Sequence, residues 1–137
     1  MKFGFAFTAV AFLIPSALAT AVRYDTTYDN AGQSTDTVAC SDGTNGLASR
    51  YPTFGSFPKF PFLAASDSIP GWNSPNCGTC FAVTYNGVTV NVLAIDHAGD
   101  GINMSLEAMN ALTNGQATFL GTVDATVAQV DKSACGL

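Results

Sequence analysis

The chain has 137 residues, five Lys and Arg against ten Asp and Glu, and only 11% charged residues, less than half of the roughly 25% usual in soluble domains. That length fits one domain. A net charge of −5 and a pI near 4.3 exclude the clustered cations that nucleic-acid phosphates require, and disfavour anionic membranes for the same reason.

The mean hydropathy of +0.25 traces largely to the amino end. Lys2 precedes an apolar run over residues 3–14, followed by Pro15, Ser16 and the small-x-small pattern Ala17-Leu18-Ala19. A membrane-spanning helix needs about 20 apolar residues, so this segment predicts a cleaved secretory leader over residues 1–19 rather than an anchor. Cleavage after Ala19 is the first choice and after Ala21 the second. The mature chain, residues 20–137, has 118 residues and carries −6. Cys40, Cys77, Cys80 and Cys135 all lie within it. Four cysteines in an exported chain predict two disulfides, and three pairings are open. The Cys77-Gly78-Thr79-Cys80 motif lacks a βαβ setting, so it predicts a structural role rather than a redox one. One histidine and no second cysteine pair leave no zinc site, and no cofactor motif is present.

The stretch 24–29 alternates poorly and predicts an N-terminal edge strand. Asp42-Gly43-Thr44-Asn45-Gly46 has turn chemistry, and residues 47–51 one helical turn. Residues 51–62 hold five aromatics and three prolines, which predicts a loop. Residues 66–80 read as a second loop held by cysteines. Residues 81–85 and 88–95 flank Asn86-Gly87, the strongest short-range hairpin signal. A glycine-rich loop follows from Asp96 to Gly101. Ser105 then fits a helix N-cap, Leu106, Met109 and Leu112 make an apolar stripe, and Asn114-Gly115 ends it. Residues 121–130 alternate again. The pattern predicts a mainly β domain with short helices.

With a single histidine and no G-x-S-x-G elbow, a serine triad is excluded. The oxygen-rich residues 96–103 lack the spacing of a calcium loop. Asp96 ends an almost continuous apolar strand, where a carboxylate either points into a groove or accepts N–H bonds from the 99–101 turn. Glycoside hydrolysis needs a second carboxylate. Asp25, Asp29, Asp42 and Asp100 are available, and spacing selects none. Sugar binding asks for amide, hydroxyl and carboxylate groups with an aromatic face. Trp72 is a candidate for that face, although a lone Trp more often plugs a core. Asn103-Met104-Ser105 is an N-glycosylation acceptor, and a glycan there competes with a ligand role for Asn103.

Several long motifs in order give the chain a family resemblance. Cys40-Ser41-Asp42-Gly43-Thr44-Asn45-Gly46-Leu47, Gly71-Trp72-Asn73-Ser74-Pro75-Asn76-Cys77-Gly78-Thr79-Cys80, Asn91-Val92-Leu93-Ala94-Ile95-Asp96, and the run from Ile102 to Leu112 resemble the cerato-platanins, small secreted fungal proteins. The resemblance implies a six-stranded double-psi β-barrel related to expansins, with disulfides Cys40–Cys77 and Cys80–Cys135. It implies an extracellular, wall-associated protein without catalytic residues. Such a protein binds chitin or N-acetylglucosamine oligomers without hydrolysis and acts as an elicitor or virulence factor towards a host receptor. By position it makes Asp96 and Asn103 the carbohydrate-binding residues, with His97 adjoining; Trp72 stays a candidate on its residue type alone. The alternatives are an expansin-like loosening protein or weak enzyme with Asp96 as general acid, and a surface-active coat protein that self-assembles at interfaces. The aromatics of residues 51–62 suit that last reading or simply cover the barrel.

Overall fold

The computed structural model describes residues 18–137. Most of the predicted leader, residues 1–17, lies outside the described residues. Among the described residues no helix is long and apolar enough to cross a membrane.

Six strands close into a barrel. They are β1 (Thr20–Tyr24), β2 (Leu63–Ser66), β3 (Cys80–Tyr85), β4 (Val88–His97), β5 (Ile102–Met104) and β6 (Thr122–Val130), in the order β1-β5-β2-β4-β3-β6. The β1–β5 and β2–β4 pairs are parallel and the others antiparallel. Closure abolishes sheet edges, so the expected N-terminal edge strand is corrected in two ways. It starts earlier, at Thr20, and it is paired on both sides, by β5 and β6. Beyond Tyr24 the chain turns into a 3-10 segment, Thr26–Asp29, capped by Asp25.

The hairpin forms as expected. Asn86 and Gly87 have φ of 48° and 78°, the two positive values a type I′ turn requires, and Tyr85 pairs with Val88 across it. Helix α1 (Leu106–Thr113) starts at Ser105, whose Oγ accepts the Ala108 N–H, and ends at Asn114 in the left-handed conformation. It has a second cap from far along the chain. Asp29 accepts the Leu106 and Glu107 N–H groups at 2.7 and 3.0 Å, placing negative charge at the helix N-terminus where the dipole favours it. A short helix α2 (Ala117–Leu120) precedes β6.

Two cores stabilise the barrel. In the first, Val22, Ala64, Val83, Val92, Ile102, Met104 and Val123 meet. They come from all six strands, which only a barrel interior allows, and Met109 and Leu112 of α1 close one end. In the second, Leu63, Ala65, Leu93 and Ile95 lie on the outer face beneath Tyr28, Val38, Leu47, Phe54 and Phe57. Strand β2 is sandwiched between the two, with all four residues buried. The aromatics of residues 51–62 therefore serve as cover. Phe54 and Phe57 are buried, Phe54 stacks on Tyr28 and Phe57 on Tyr51, and each buried ring contributes about 1.5–3 kcal/mol.

The disulfides are Cys40–Cys77 and Cys80–Cys135. The first joins two segments of the loop layer and the second ties the C-terminal segment to β3 of the barrel, and Cys77 and Cys80 are not bridged to each other.

Candidate functional site

On strand β4, a register shift decides where Asp96 points. Ala64 pairs with Ala94, but Ala65 pairs with Asp96, so Ile95 is the extra residue. Such an insertion re-aims the following side chain. Asp96 thereby shares the outer face with Ala65, whereas an unbroken ladder turns it inward. On the other side of β2, Ala65 pairs with Asn103, and Asn103 pairs with Arg23 of β1. The result is one row across four strands: Asp96, Ala65, Asn103, Arg23. The small buried Ala65 forms its floor.

Asp96 is heavily engaged. Its Oδ2 accepts the Tyr28 hydroxyl at 2.9 Å, and its Oδ1 accepts the Ala39 N–H at 3.0 Å and the His97 N–H at 2.8 Å. The expected alternative, an acceptor for the 99–101 turn, is corrected: Asp67 fills that role, its Oδ2 accepting the Gly101 N–H at 2.9 Å. Tyr28 answers to Asp96 in turn. Burial first, and then the adjacent carboxylate, raise the Tyr28 phenol well above its ordinary pKa of 10.0, because both disfavour a phenolate there.

Asn103 differs. It is half-buried, and its carboxamide makes no hydrogen bond to another described residue. Arg23 reaches Asp100, donating to its carbonyl at 3.3 Å and lying 3.7 Å from its carboxylate. His97 is exposed, and its Nδ1 lies 2.6 Å from the Ile69 carbonyl. A carbonyl only accepts, so Nδ1 carries the proton; the ring is turned to that loop and not to the Asp96 carboxylate.

Trp72 stands apart from this row, and the core-plug expectation for it is corrected. Its side chain is 62% exposed, and its Nε1 donates to Asp42 Oδ1 at 2.6 Å. The other carboxylates considered as catalytic partners are occupied as well. Asp25 and Asp29 cap helical segments, and Asp100 pairs with Arg23. Among the described residues no three His, Cys, Asp or Glu side chains converge to hold a metal ion.

Two functional neighbours escaped the sequence reading. Tyr28 sits in the irregular 24–29 stretch, and Arg23 precedes it. Neither has a local motif, because long-range register alone brings them to Asn103 and Asp96.

A closed six-stranded barrel with a disulfide-tied loop layer and a polar row on its outer face defines a class of small bridged β-barrel proteins. Comparison with known proteins places the chain within it. The family model described as Cerato-platanin matches residues 20–137, and the chain belongs to this family. It is similar to "Allergen Asp f 15" of Aspergillus fumigatus, 50% identical over 119 residues, 87% of this chain and 78% of that one. It is similar to "Cerato-platanin" of Ceratocystis fimbriata f. sp. platani, 40% identical over 125 residues, 90% and 91% of the two chains. Among solved structures it resembles cerato-platanin 2 from M. perniciosa, with a TM-score of 0.84 at 52% identity over 87% of this chain and 99% of that one. It also resembles the solution structure of the fungal elicitor Cerato-Platanin, with a TM-score of 0.78 at 39% identity over 84% and 95%.

Proposed function

We propose that this cerato-platanin is a secreted protein, released by removal of residues 1–19, that binds chitin oligomers without cleaving them and thereby acts as an elicitor in host contact. The observation carrying this reading is the row Asp96, Ala65, Asn103, Arg23, with the Asn103 carboxamide unpaired and accessible at its centre. A carboxamide donates and accepts at once, which matches the acetamido group of N-acetylglucosamine. Ala65 itself is buried beneath the aromatic cover, so a sugar is met by the half-buried Asn103 and Asp96 side chains at the surface of the row. Asp96 holds the rim, and its remaining lone pair accepts from a sugar hydroxyl. Two disulfides suit an oxidising compartment, and the family membership supports a fungal extracellular setting.

The hydrolytic alternative asks Asp96 to donate a proton. Three donors converge on its carboxylate, an arrangement that suits an acceptor. The coat-protein alternative draws on a different feature, the exposed Phe119 at 85% and Val88 at 40%, the latter at the opposite end of β4 from Asp96.

Isothermal titration with chitohexaose tests the binding reading. The unmodified protein gives saturable heat, and Asn103→Ala, a change that breaks no hydrogen bond in the fold, weakens binding about tenfold, equivalent to about 1.4 kcal/mol. Equal affinity in the two proteins rules out the Asn103 site. New reducing ends from chitin, lost in Asp96→Asn, would establish the enzyme in its place.

A further inference from the structure

The region around Trp72 is built as a platform. A large apolar side chain normally gains by burial, yet this indole is 62% exposed. It is nevertheless fixed. Its only polar atom, Nε1, is bonded to Asp42. Asn45 donates its backbone N–H to Asn73 Oδ1 and its side-chain amide to the Asn73 carbonyl, both at 2.9 Å. These three bonds join the 42–45 and 72–73 loops, and Cys40–Cys77 clamps their bases. Gly43 completes the seat. A Cβ there would lie 2.7 Å from Asn73 Oδ1 and 3.0 Å from the indole Cζ2, and its φ of +82° suits glycine alone.

Asp42 and Gly43, which seat the indole, also line an open hollow of about 330 Å³ together with Asp36, Ser41, Ala48 and Ser49. The volume lies at the lower end of the range for small-molecule sites. Its side chains offer carboxylate oxygens and hydroxyls, with no amide and no cation. Asp42 spends Oδ1 on the indole and on the Ser41 hydroxyl, and its Oδ2 accepts from no described residue. With Nε1 taken, what the indole presents to a partner is ring surface.

We propose that Trp72 and this hollow form a second sugar site, separate from the Asp96–Asn103 row, that takes an uncharged β-linked glucan chain lacking acetamido groups. A β-linked glucose unit carries its hydroxyls equatorially, leaving a flat apolar C–H face for the indole, while its hydroxyl protons meet Asp42 Oδ2, Asp36 and the two serines. An acetamido carbonyl needs a donor, and of the two lining hydroxyls Ser41 already donates to Asp42, which leaves Ser49 as the one free side-chain donor against the carboxylate acceptors. Residues 35–43 border both sites, since the Ala39 N–H holds Asp96 while Asp36, Ser41, Asp42 and Gly43 line the hollow. The protein therefore presents two neighbouring sites of different sugar preference.

Trp72 is the single tryptophan, so intrinsic fluorescence reports on this site alone. Titration with cellohexaose is expected to give a saturable change in Trp72 emission in the unmodified protein and unchanged in Asn103→Ala. Calorimetry with cellohexaose is expected to show affinity at least tenfold weaker in Trp72→Ala, and largely retained in Trp72→Phe, which keeps an aromatic face. Circular dichroism melting checks that both variants fold, and if Trp72→Ala does not, the fluorescence and Trp72→Phe results decide. Four results overturn the proposal: no binding of cellohexaose, binding without an emission change, equal affinity in folded Trp72→Ala, or an emission change produced by chitohexaose and not by cellohexaose. Because cellohexaose has no acetamido group, failure here leaves the Asn103 reading standing, and failure of Asn103→Ala to weaken chitohexaose leaves this one standing.

Discussion

The Asp96 row and the Trp72 platform border the same segment, residues 35–43, and are held in opposite ways. Asp96 is carried by a strand, aimed by a register shift, and held by three donors from three parts of the chain. Trp72 is carried by a loop, exposed, and held by one side-chain bond and a neighbouring disulfide. The difference is one of coupling. A change at Asp96 propagates into the fold, because it strands a part-buried backbone N–H and a buried phenol. A change at Trp72 stays local, because water replaces what is lost. The free carboxamide of Asn103 is the exception within the row, which makes it the position where binding separates from stability.

The largest test of this contrast is removal of the clamp. Replacing Cys40 and Cys77 by Ala is expected to lower stability by about 2–4 kcal/mol, read as the denaturant midpoint. The same variant should lower Trp72 fluorescence anisotropy, and unchanged anisotropy would mean that the side-chain bonds alone hold the platform. Next in size, Asp96→Ala leaves the Ala39 N–H and the Tyr28 hydroxyl without an acceptor and should cost about 2–3 kcal/mol. Asp42→Ala, measured alongside, should cost under about 1 kcal/mol, as exposed polar contacts do. Equal losses at the two aspartates would break the comparison.

Tyr28→Phe sharpens it through pH. The phenol's pKa is raised in the folded state while the unfolded chain ionises near 10.0. Stability from the protonated phenol is thus complete below pH 10.0 and falls as pH rises beyond it. In Tyr28→Phe, which loses about 1–2 kcal/mol at neutral pH, that additional alkaline loss should vanish. Parallel curves for the two proteins above that pH would show that the Tyr28 phenol is not held protonated by its burial beside Asp96. The smallest effect expected concerns Asn103-Met104-Ser105. Ser105 is buried and caps α1, and the Asn103 backbone is paired on both sides in β5, so the intact mass of protein recovered from culture medium should correspond to residues 20–137 without a glycan. A glycosylated mass would argue that Asn103 does not bind sugar.

Much of this architecture is legible in the sequence, and what is hidden follows a physical pattern. Local chemistry announces the β3–β4 hairpin through Asn86-Gly87, α1 through Ser105 and Asn114, and the irregular path of residues 51–62 through its prolines. Strands β2 and β5, of four and three residues, are too short to show a period. Leu63-Ala64-Ala65-Ser66 does not alternate at all, because both its faces are buried. Asp96 stands out as a carboxylate closing an apolar run, and the ordered motifs draw attention to Asn103. The partners that define their surroundings do not stand out: Tyr28 is 68 residues from Asp96, and the placing of Arg23 beside Asn103 depends on a parallel pairing. Trp72 misleads because burial is the common fate of a lone indole, and its exposure is decided by a carboxylate 30 residues away.

The proposed chitin-binding face is the Asp96–Asn103 row, and a ¹⁵N NMR titration with chitohexaose tests it most directly. Saturable shifts are expected at the Asn103 side-chain amide and at the backbone of Ala65, Asp96 and Arg23, with the α1–α2 end of the barrel unmoved. Shifts absent from the row, or centred on Phe119 and its neighbours, would contradict the account.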